Sequence, residues 1–420
     1  MPGWRCDPDG VFRNIARPMD AWDFHKLRQF QQLSSWSGVE KAFRADDRLS
    51  CQVDTAVGTI RGGSRVEAYN YAVRLIPRPS ELDRIEETFE QRFVELEAYL
   101  LATELEFISL WPVPGLIVDD TPVELEPGMV LGALSDRELV RALQTDIIHP
   151  IFADDVLFRP EPADRTCFRY CYHLSKLIGP RPNDATKRFQ ELEQRLQEIG
   201  AVIEESLTLV LPEPVMSAGR LDIAGEQWRL RSGGGAFRPS MMPLHARWRR
   251  IEMDDQGRSE LKEVWKLVSK RGLLAGHKGL ALALRRLSYQ AQRERPDDEM
   301  LDIMIAAEAL YFTERSKEQD RGELRYRLAL RAAIWADEEA LGMTKLEVLG
   351  LMKVAYDARS AVAHGGSPDP KYMKVKGERV ELPALVKATR AVVTQGCRKA
   401  VATAASETGW PPNWDAIILG

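Results

Sequence analysis

The chain has 420 residues, 44% of them hydrophobic, and a formal net charge of −5, enough for two or three domains with packed cores. No run approaches the roughly 18 consecutive apolar residues of a membrane span, and Met1 to Asp7 carry no apolar signal core, so a cytoplasmic protein with no membrane partner is expected. Residues 1–240 hold 28 Lys and Arg against 38 Asp and Glu, a balance of −10, whereas residues 241–420 hold 30 against 25, a balance of +5. The mildly basic C-terminal part can face nucleic acid, but its charge falls short of a dedicated nucleic-acid binder's.

Residues 46–78 alternate apolar and polar side chains around Gly62 and Gly63 and predict a hairpin. Ser80-Glu-Leu-Asp opens a helix to about Thr103, with Leu82, Ile85, Phe89, Phe93, Leu96 and Leu100 at helical spacing. Strand patterns return over 106–133, broken by Pro112, Pro114, Pro122 and Pro127, and Ser135-Asp-Arg-Glu138 reads as a second capping box. A long helix follows over 184–210. Cys167, Cys171 and His173 offer three potential metal ligands within seven residues, but zinc takes four ligands in two clusters. They are read as core cysteines, and no metal or other cofactor is assigned. With Cys6, Cys51 and Cys397 they make an odd, scattered set of five, which fits reduced thiols rather than a disulfide framework. Residues 1–235 are therefore expected to form a mixed α+β domain.

Prolines at 212, 214, 239 and 243 and the triple glycine 233–235 mark 211–258 as a connector, with the linker proper at 236–257. No Lys-Ser/Thr or helix start follows the glycines, so they are a hinge and not a phosphate loop. Arg247-Trp-Arg-Arg250 joins basic charge to an aromatic ring, a combination that can stack on bases and bind phosphate.

From 258 onward strand signals nearly vanish, and helices are predicted over 259–271, 278–294, 297–314, 322–337, 344–364 and 382–405. Met300 to Phe312 is apolar nearly all round, which marks the buried helix of a bundle. Glu308, an acid within it, needs a cation: Arg327 or Arg331 on the next helix, or Arg359. Over 346–364, at about 100° per residue, Leu349, Met352, Tyr356, Arg359 and Ala363 fall on one arc. Arg359 thus continues an apolar stripe, where a guanidinium requires an acid, an interface or a polyanion. Five residues on, His364 precedes Gly365 and Gly366, a pair suited to ending a helix in the left-handed conformation. The bare spacing is weak evidence, since Arg271 with His277 repeats it loosely.

The blocks Arg285 to Arg293, Pro296 to Leu310, Leu324 to Arg331 and Ala355 to Gly366, in that order, resemble the Apea-like branch of the HEPN superfamily over roughly 258–405. The resemblance implies an all-α HEPN-type bundle over 258–420 that forms a homodimer and acts as a metal-independent endoribonuclease in anti-phage defence or as a toxin. It maps the motif's arginine, polar residue and histidine onto Arg359, Ser360 and His364; many members carry Asn, Asp or His where this chain has Ser360.

Chemistry accords with that implication. RNA supplies its own 2′-hydroxyl nucleophile, histidine is the side chain that exchanges protons near neutral pH, and an arginine fork can hold two phosphate oxygens. Glu308 and Arg327 are expected to support the site, and Lys371, Lys374 and Lys376 to steer the RNA. Residues 1–235 would sense a phage-derived trigger. Two alternatives stay open: a non-catalytic HEPN-type module binding RNA, nucleotide or a partner protein, and a purely structural dimerisation domain. In a purely structural reading Arg359 would pair with Glu308 or Asp357 and His364 would cap its helix. No paired catalytic carboxylates, nucleophile elbow or dinucleotide fingerprint is apparent.

Overall fold

The computed structural model describes residues 104–118, 121–135, 165–175, 182–224, 250–312, 323–406 and 409–419, the short strands at 2–6, 12–16 and 237–239, and residues 41, 87, 90, 91, 93, 94, 98 and 138. The expected hairpin at 46–78 and the triple glycine lie outside the described residues, as does most of the 80–103 helix, of which Phe93 is helical and exposed. Strands and helices are both abundant, so the class is α+β. Two compact units interleave along the chain: one holds residues 1–112, 126–198 and 219–240, the other 113–125, 199–218 and 241–420.

In the first unit, strands β1 (Pro2–Cys6) and β2 (Phe12–Ala16) form an antiparallel pair. The principal sheet contains β3 (Glu104–Pro112), β6 (Met129–Ala133), β7 (Thr166–Ser175), β8 (Gly219–Ala224) and β9 (Phe237–Pro239), with β5 (Val123–Glu126) at one edge. Its order is β5-β6-β7-β3-β8-β9, and the pairs from β6 to β9 are antiparallel. Ile108, Leu110, Leu134, Cys167, Leu221 and Ile223 make one apolar cluster. The strands also bury charge. Ser109 on β3 sits opposite Asp222 on β8 and donates to Asp222 Oδ1 at 2.6 Å. Arg220 reaches the other carboxylate oxygen through Nε and Nη2 at 3.1 and 3.0 Å, and Glu193 at 2.7 Å. Each charge is thereby answered by hydrogen bonds, the condition for burial.

The connector expected over 211–258 is corrected here, because Gly219–Ala224 is a strand beside the central β3. Its alternation of Leu221 and Ile223 with polar neighbours spans only four residues, too short to stand out beside the flanking prolines. Strand β10 (Ile251–Met253) pairs in parallel with β4 (Leu116–Val118), and Lys387 reaches back to Glu213 at 2.7 Å.

The second unit is helical. It takes the residues of helix α1 (Pro182–Val210) from Ile199 onward, then α2 (Asp255–Val268), α3 (Arg271–Gly276), α4 (Lys278–Ser288), α5 (Pro296–Tyr311), α6 (Leu324–Trp335), α7 (Glu338–Leu341), α8 (Lys345–Ala363), α9 (Leu382–Ala404) and α10 (Trp414–Leu419). The hairpin β11 (Lys374–Val375) and β12 (Glu378–Arg379) interrupts α8 and α9. All six helices expected after 258 are present, although α4 ends at Ser288 and gives way to a 3-10 turn over Tyr289–Gln292 where helix was expected to 294. Pro296 occupies the first turn of α5 and three acids follow it, which favours helix initiation. Helix α5 packs against α4, α8 and α9, with Met300, Ile303, Met304, Ala306, Ala307 and Leu310 buried. Each large apolar side chain there contributes about 1.5–3 kcal/mol. Asp302, also buried, is bridged by Arg293 Nε at 2.6 Å and Arg286 Nη1 at 3.2 Å. Among the described residues no helix is long and apolar enough to cross a membrane.

At the C-terminal end of α5, Tyr311, Trp335, Trp410 and Trp414 pack edge to face, and Gly396 of α9 leaves room for them. A Cβ at Gly396 would lie 2.4 Å from Tyr311 Oη and 3.2 Å from Leu310 Cδ2. Gly396→Ala is therefore expected to lower stability by roughly 1–3 kcal/mol in urea unfolding, although alanine is the better helix former; a raised midpoint would refute this packing argument.

Candidate functional site

Helix α8 positions the site. Thr344 caps its start: the Thr344 Oγ1 accepts from Glu347 N–H at 3.2 Å, and the Glu347 carboxylate accepts from Thr344 N–H at 2.8 Å. The helix buries Val348, Leu351, Met352, Ala355 and Ala358. The stripe expected through Leu349, Met352, Tyr356, Arg359 and Ala363 is thus turned by about one residue: of these only Met352 is buried, and Ala363 is exposed. Alanines at 355 and 358 form the true seam because α5 and α6 lie close against it, and small side chains permit that approach.

Arg359 stands at the edge of the seam, its side chain 29% exposed, with Nη2 3.4 Å from Glu308 Oε2 on α5. That is long for a charge-assisted bond. Its Nε is buried and has no hydrogen-bond partner. The contrast with Arg293 on Asp302 at 2.6 Å is direct. Burial pushes the Glu308 carboxyl above the ordinary range, and the Arg359 charge draws it partly back. Arg359 thus retains donors aimed at no protein acceptor.

His364 is the C-cap of α8. Its N–H donates to the Ser360 carbonyl at 3.2 Å, and its side chain is exposed. Gly365 adopts φ +77°; its N–H reaches Val362 O, and Gly366 N–H reaches Ala361 O, both at 2.9 Å. This is the left-handed closure expected from the two glycines, with paired 5→2 and 6→1 bonds. It fixes the backbone beneath His364. Arg359 and His364 leave the helix roughly 140° apart round its axis, so one α8 does not bring both to one point.

The remaining expected residues divide. Glu308 adjoins Arg359, and Ser360 is half-buried one residue further on. Arg327 is half-buried on α6. Arg331 does not serve Glu308: it is buried, donates from Nη1 to Tyr311 O at 2.6 Å and lies 5.2 Å over the Trp414 ring. Asp357 is taken by Arg325, a residue the sequence reading did not single out. Lys371 lies 4.6 Å over the Tyr372 ring, and Lys374 is exposed on β11. Lys376 donates Nζ to Gly342 O at 2.7 Å, so its ammonium is committed to the end of α7.

In the first unit, burial pushes the Cys167 thiol up to about 12 and also raises Cys171, which makes both poor thiolate donors; His173 is exposed. Among the described residues no group of three or more His, Cys, Asp or Glu is placed to hold a metal ion. Arg250 is exposed, and the rest of Arg247 to Arg249 lies outside the described residues.

No protein-family model, characterised protein or solved structure matches the chain.

The raised Glu308 carboxyl gives a pH test. A carboxyl raised in the folded state favours folding fully at low pH, and that contribution is lost as pH rises through its folded value. Glu308→Gln should therefore gain on the parent chain between pH 4 and pH 7. The gain should stay below about 1 kcal/mol because the pair is nearly a third exposed. Urea unfolding at both pH values reads the difference; a variant that loses ground as pH rises would show that attraction to Arg359 outweighs burial.

Proposed function

We propose that the helical part over about 258–405 is an Apea-like HEPN-type domain that cleaves RNA without a metal ion. The observation that carries this reading is Arg359: a half-buried guanidinium with one long acid contact and a buried Nε lacking a partner, five residues before an exposed histidine at a glycine-closed helix end. Arg220, by comparison, spends Nε and Nη2 on Asp222 and Glu193 at 2.7–3.1 Å. An arginine with donors to spare suits an anion that arrives from outside.

In the proposed reaction, the 2′-oxygen of one nucleotide bonds to the adjacent phosphorus and the P–O5′ bond breaks. His364 takes the 2′-hydroxyl proton, and the departing 5′-oxygen gains a proton from an imidazolium. Arg359 offsets the charge that builds on the non-bridging oxygens. Products are a 2′,3′-cyclic phosphate and a 5′-hydroxyl. Because Arg359 and His364 diverge on a single α8, a homodimer that faces two motifs across its twofold axis supplies base, acid and both cations. Glu308 holds Arg359 in readiness until phosphate competes for it.

The test incubates total RNA with parent, His364→Ala and Arg359→Ala chains in EDTA and maps the new ends. The parent is expected to cleave. His364→Ala should lose about 10²–10⁴-fold, and Arg359→Ala about 10²–10³-fold, each with unchanged unfolding midpoints to within about 0.5 kcal/mol for the exposed histidine. Intact RNA under all conditions would reject catalysis in favour of a binding module. An active monomer in sedimentation would reject the composite dimer site.

A further inference from the structure

The hairpin that follows the motif helix carries an arrangement unlike ordinary surface. Tyr372 is 62% exposed, a large aromatic held out in solvent. Lys371 Nζ sits 4.6 Å from its ring centroid, charging one face by cation–π contact. The next exposed position along the same alternation is Lys374, since Met373 between them is buried and Val375 is partly covered. Lys374 pairs with Arg379 across the β11–β12 ladder. Directly opposed residues place their Cβ atoms about 4.5–5.5 Å apart on one face, and like charges there are destabilising. The two exposed cations thus repel each other at short range. A polyanion bound over them removes that cost.

The platform is rigid. Met373 is only 6% exposed, Val380 N–H donates to Met373 O at 3.1 Å, and Lys376 pins the turn to Gly342 O at 2.7 Å. Strand β11 packs against α8 and α9, so the hairpin is fixed to the helix that carries Arg359 and His364. Gly365 to Pro370 form a short link between them.

We infer that Tyr372, with Lys374 and Arg379, is a binding platform for single-stranded RNA, on which an unpaired base stacks on the tyrosine while its phosphates lie over the paired cations. An exposed aromatic selects unstacked bases, because a base inside a duplex offers no free face. The favoured substrate class is therefore an unpaired loop or tail and not duplex RNA. Lys376 is excluded from the contact by its bond to Gly342 O. This inference rests on the ribonuclease reading for its consequence, the choice of cleavage position; the binding itself does not need cleavage.

The test uses full-length chain carrying His364→Ala, so that RNA survives, and fluorescence anisotropy with an unstructured 12-nucleotide RNA and the same strand in duplex, across salt concentrations. Tyr372→Leu keeps apolar bulk but loses the π face: it should weaken single-strand binding roughly 5- to 100-fold, leave duplex binding unchanged and retain the parent's thermal unfolding. Tyr372→Trp should restore affinity. Replacing Lys374 and Arg379 by Ser should reduce the slope of log K against log salt by about 1.4, at about 0.7 per phosphate contact on a single strand. Parent-like binding by Tyr372→Leu, or equal loss on duplex and single strand, overturns the platform. So does Tyr372-dependent binding of an acidic peptide in place of RNA. Cleavage by the His364-intact chain, followed separately, distinguishes the two proposals. Cleavage with a silent Tyr372 sinks the platform alone, and Tyr372-dependent binding without any cleavage sinks the ribonuclease reading alone.

Discussion

The helical unit depends on the burial of α5. Its residues from Met300 to Leu310 are apolar on almost every side, so no orientation leaves a face fit for water, and α4, α8 and α9 are drawn around it. Each neighbour needs an apolar stripe of its own, which is why α8 turns Ala355 and Ala358 inward. Burying such a helix also strands its polar members. Asp302 must receive Arg286 and Arg293, and Glu308, at a position only half covered, must receive a cation from whichever helix lies beside it. That helix is α8, and the cation is Arg359.

Several charges in the molecule are well matched. Arg390 reaches Gln290 at 2.6 Å and Glu299 at 2.8 Å. Arg331 is capped by the Tyr311 carbonyl and the Trp414 ring, and Arg220 bridges two acids. Such pairing is what desolvation demands, since an arginine loses hydration on burial and recovers it only through good geometry. Arg359 makes a longer contact, 3.4 Å to Glu308, and its Nε, like that of Arg286, is buried without a hydrogen-bond partner. Burial raises the Glu308 carboxyl above the usual carboxylate range, and the Arg359 charge draws it partly back.

Legibility in the sequence followed the physics of each feature. The helices after 258 were readable because a 3.6-residue period sustained over three or more turns has few competing explanations, and caps such as Thr344 with Glu347 or Pro296 with its acids announce themselves locally. The closure at Gly365 and Gly366 was readable for the same reason, since the left-handed conformation selects glycine. Strand β8 was not: Gly219–Ala224 gains its order from pairing with β3, more than 100 residues earlier, and a four-residue alternation between prolines carries little signal. The phase of the α8 stripe was also misjudged by about one residue. Apolar residues lie at 348, 349, 351, 352, 354 and 355, and the choice among them belongs to the neighbours, whose closeness favours alanine over leucine at the contact.

The sequence by itself determined that a helical C-terminal part exists, where its helices start and stop, that one of them is buried, and that Arg359 and His364 stand five residues apart at a glycine-closed end. These are consequences of local conformational preference and of apolar period. Only the tertiary structure decided which cation Glu308 takes, that Arg331 and Lys376 are committed elsewhere, and that Arg359 keeps free donors. Side-chain pairing depends on distances between elements remote along the chain. Spacing within a helix cannot encode those distances, because they are set when separate helices settle around a common core.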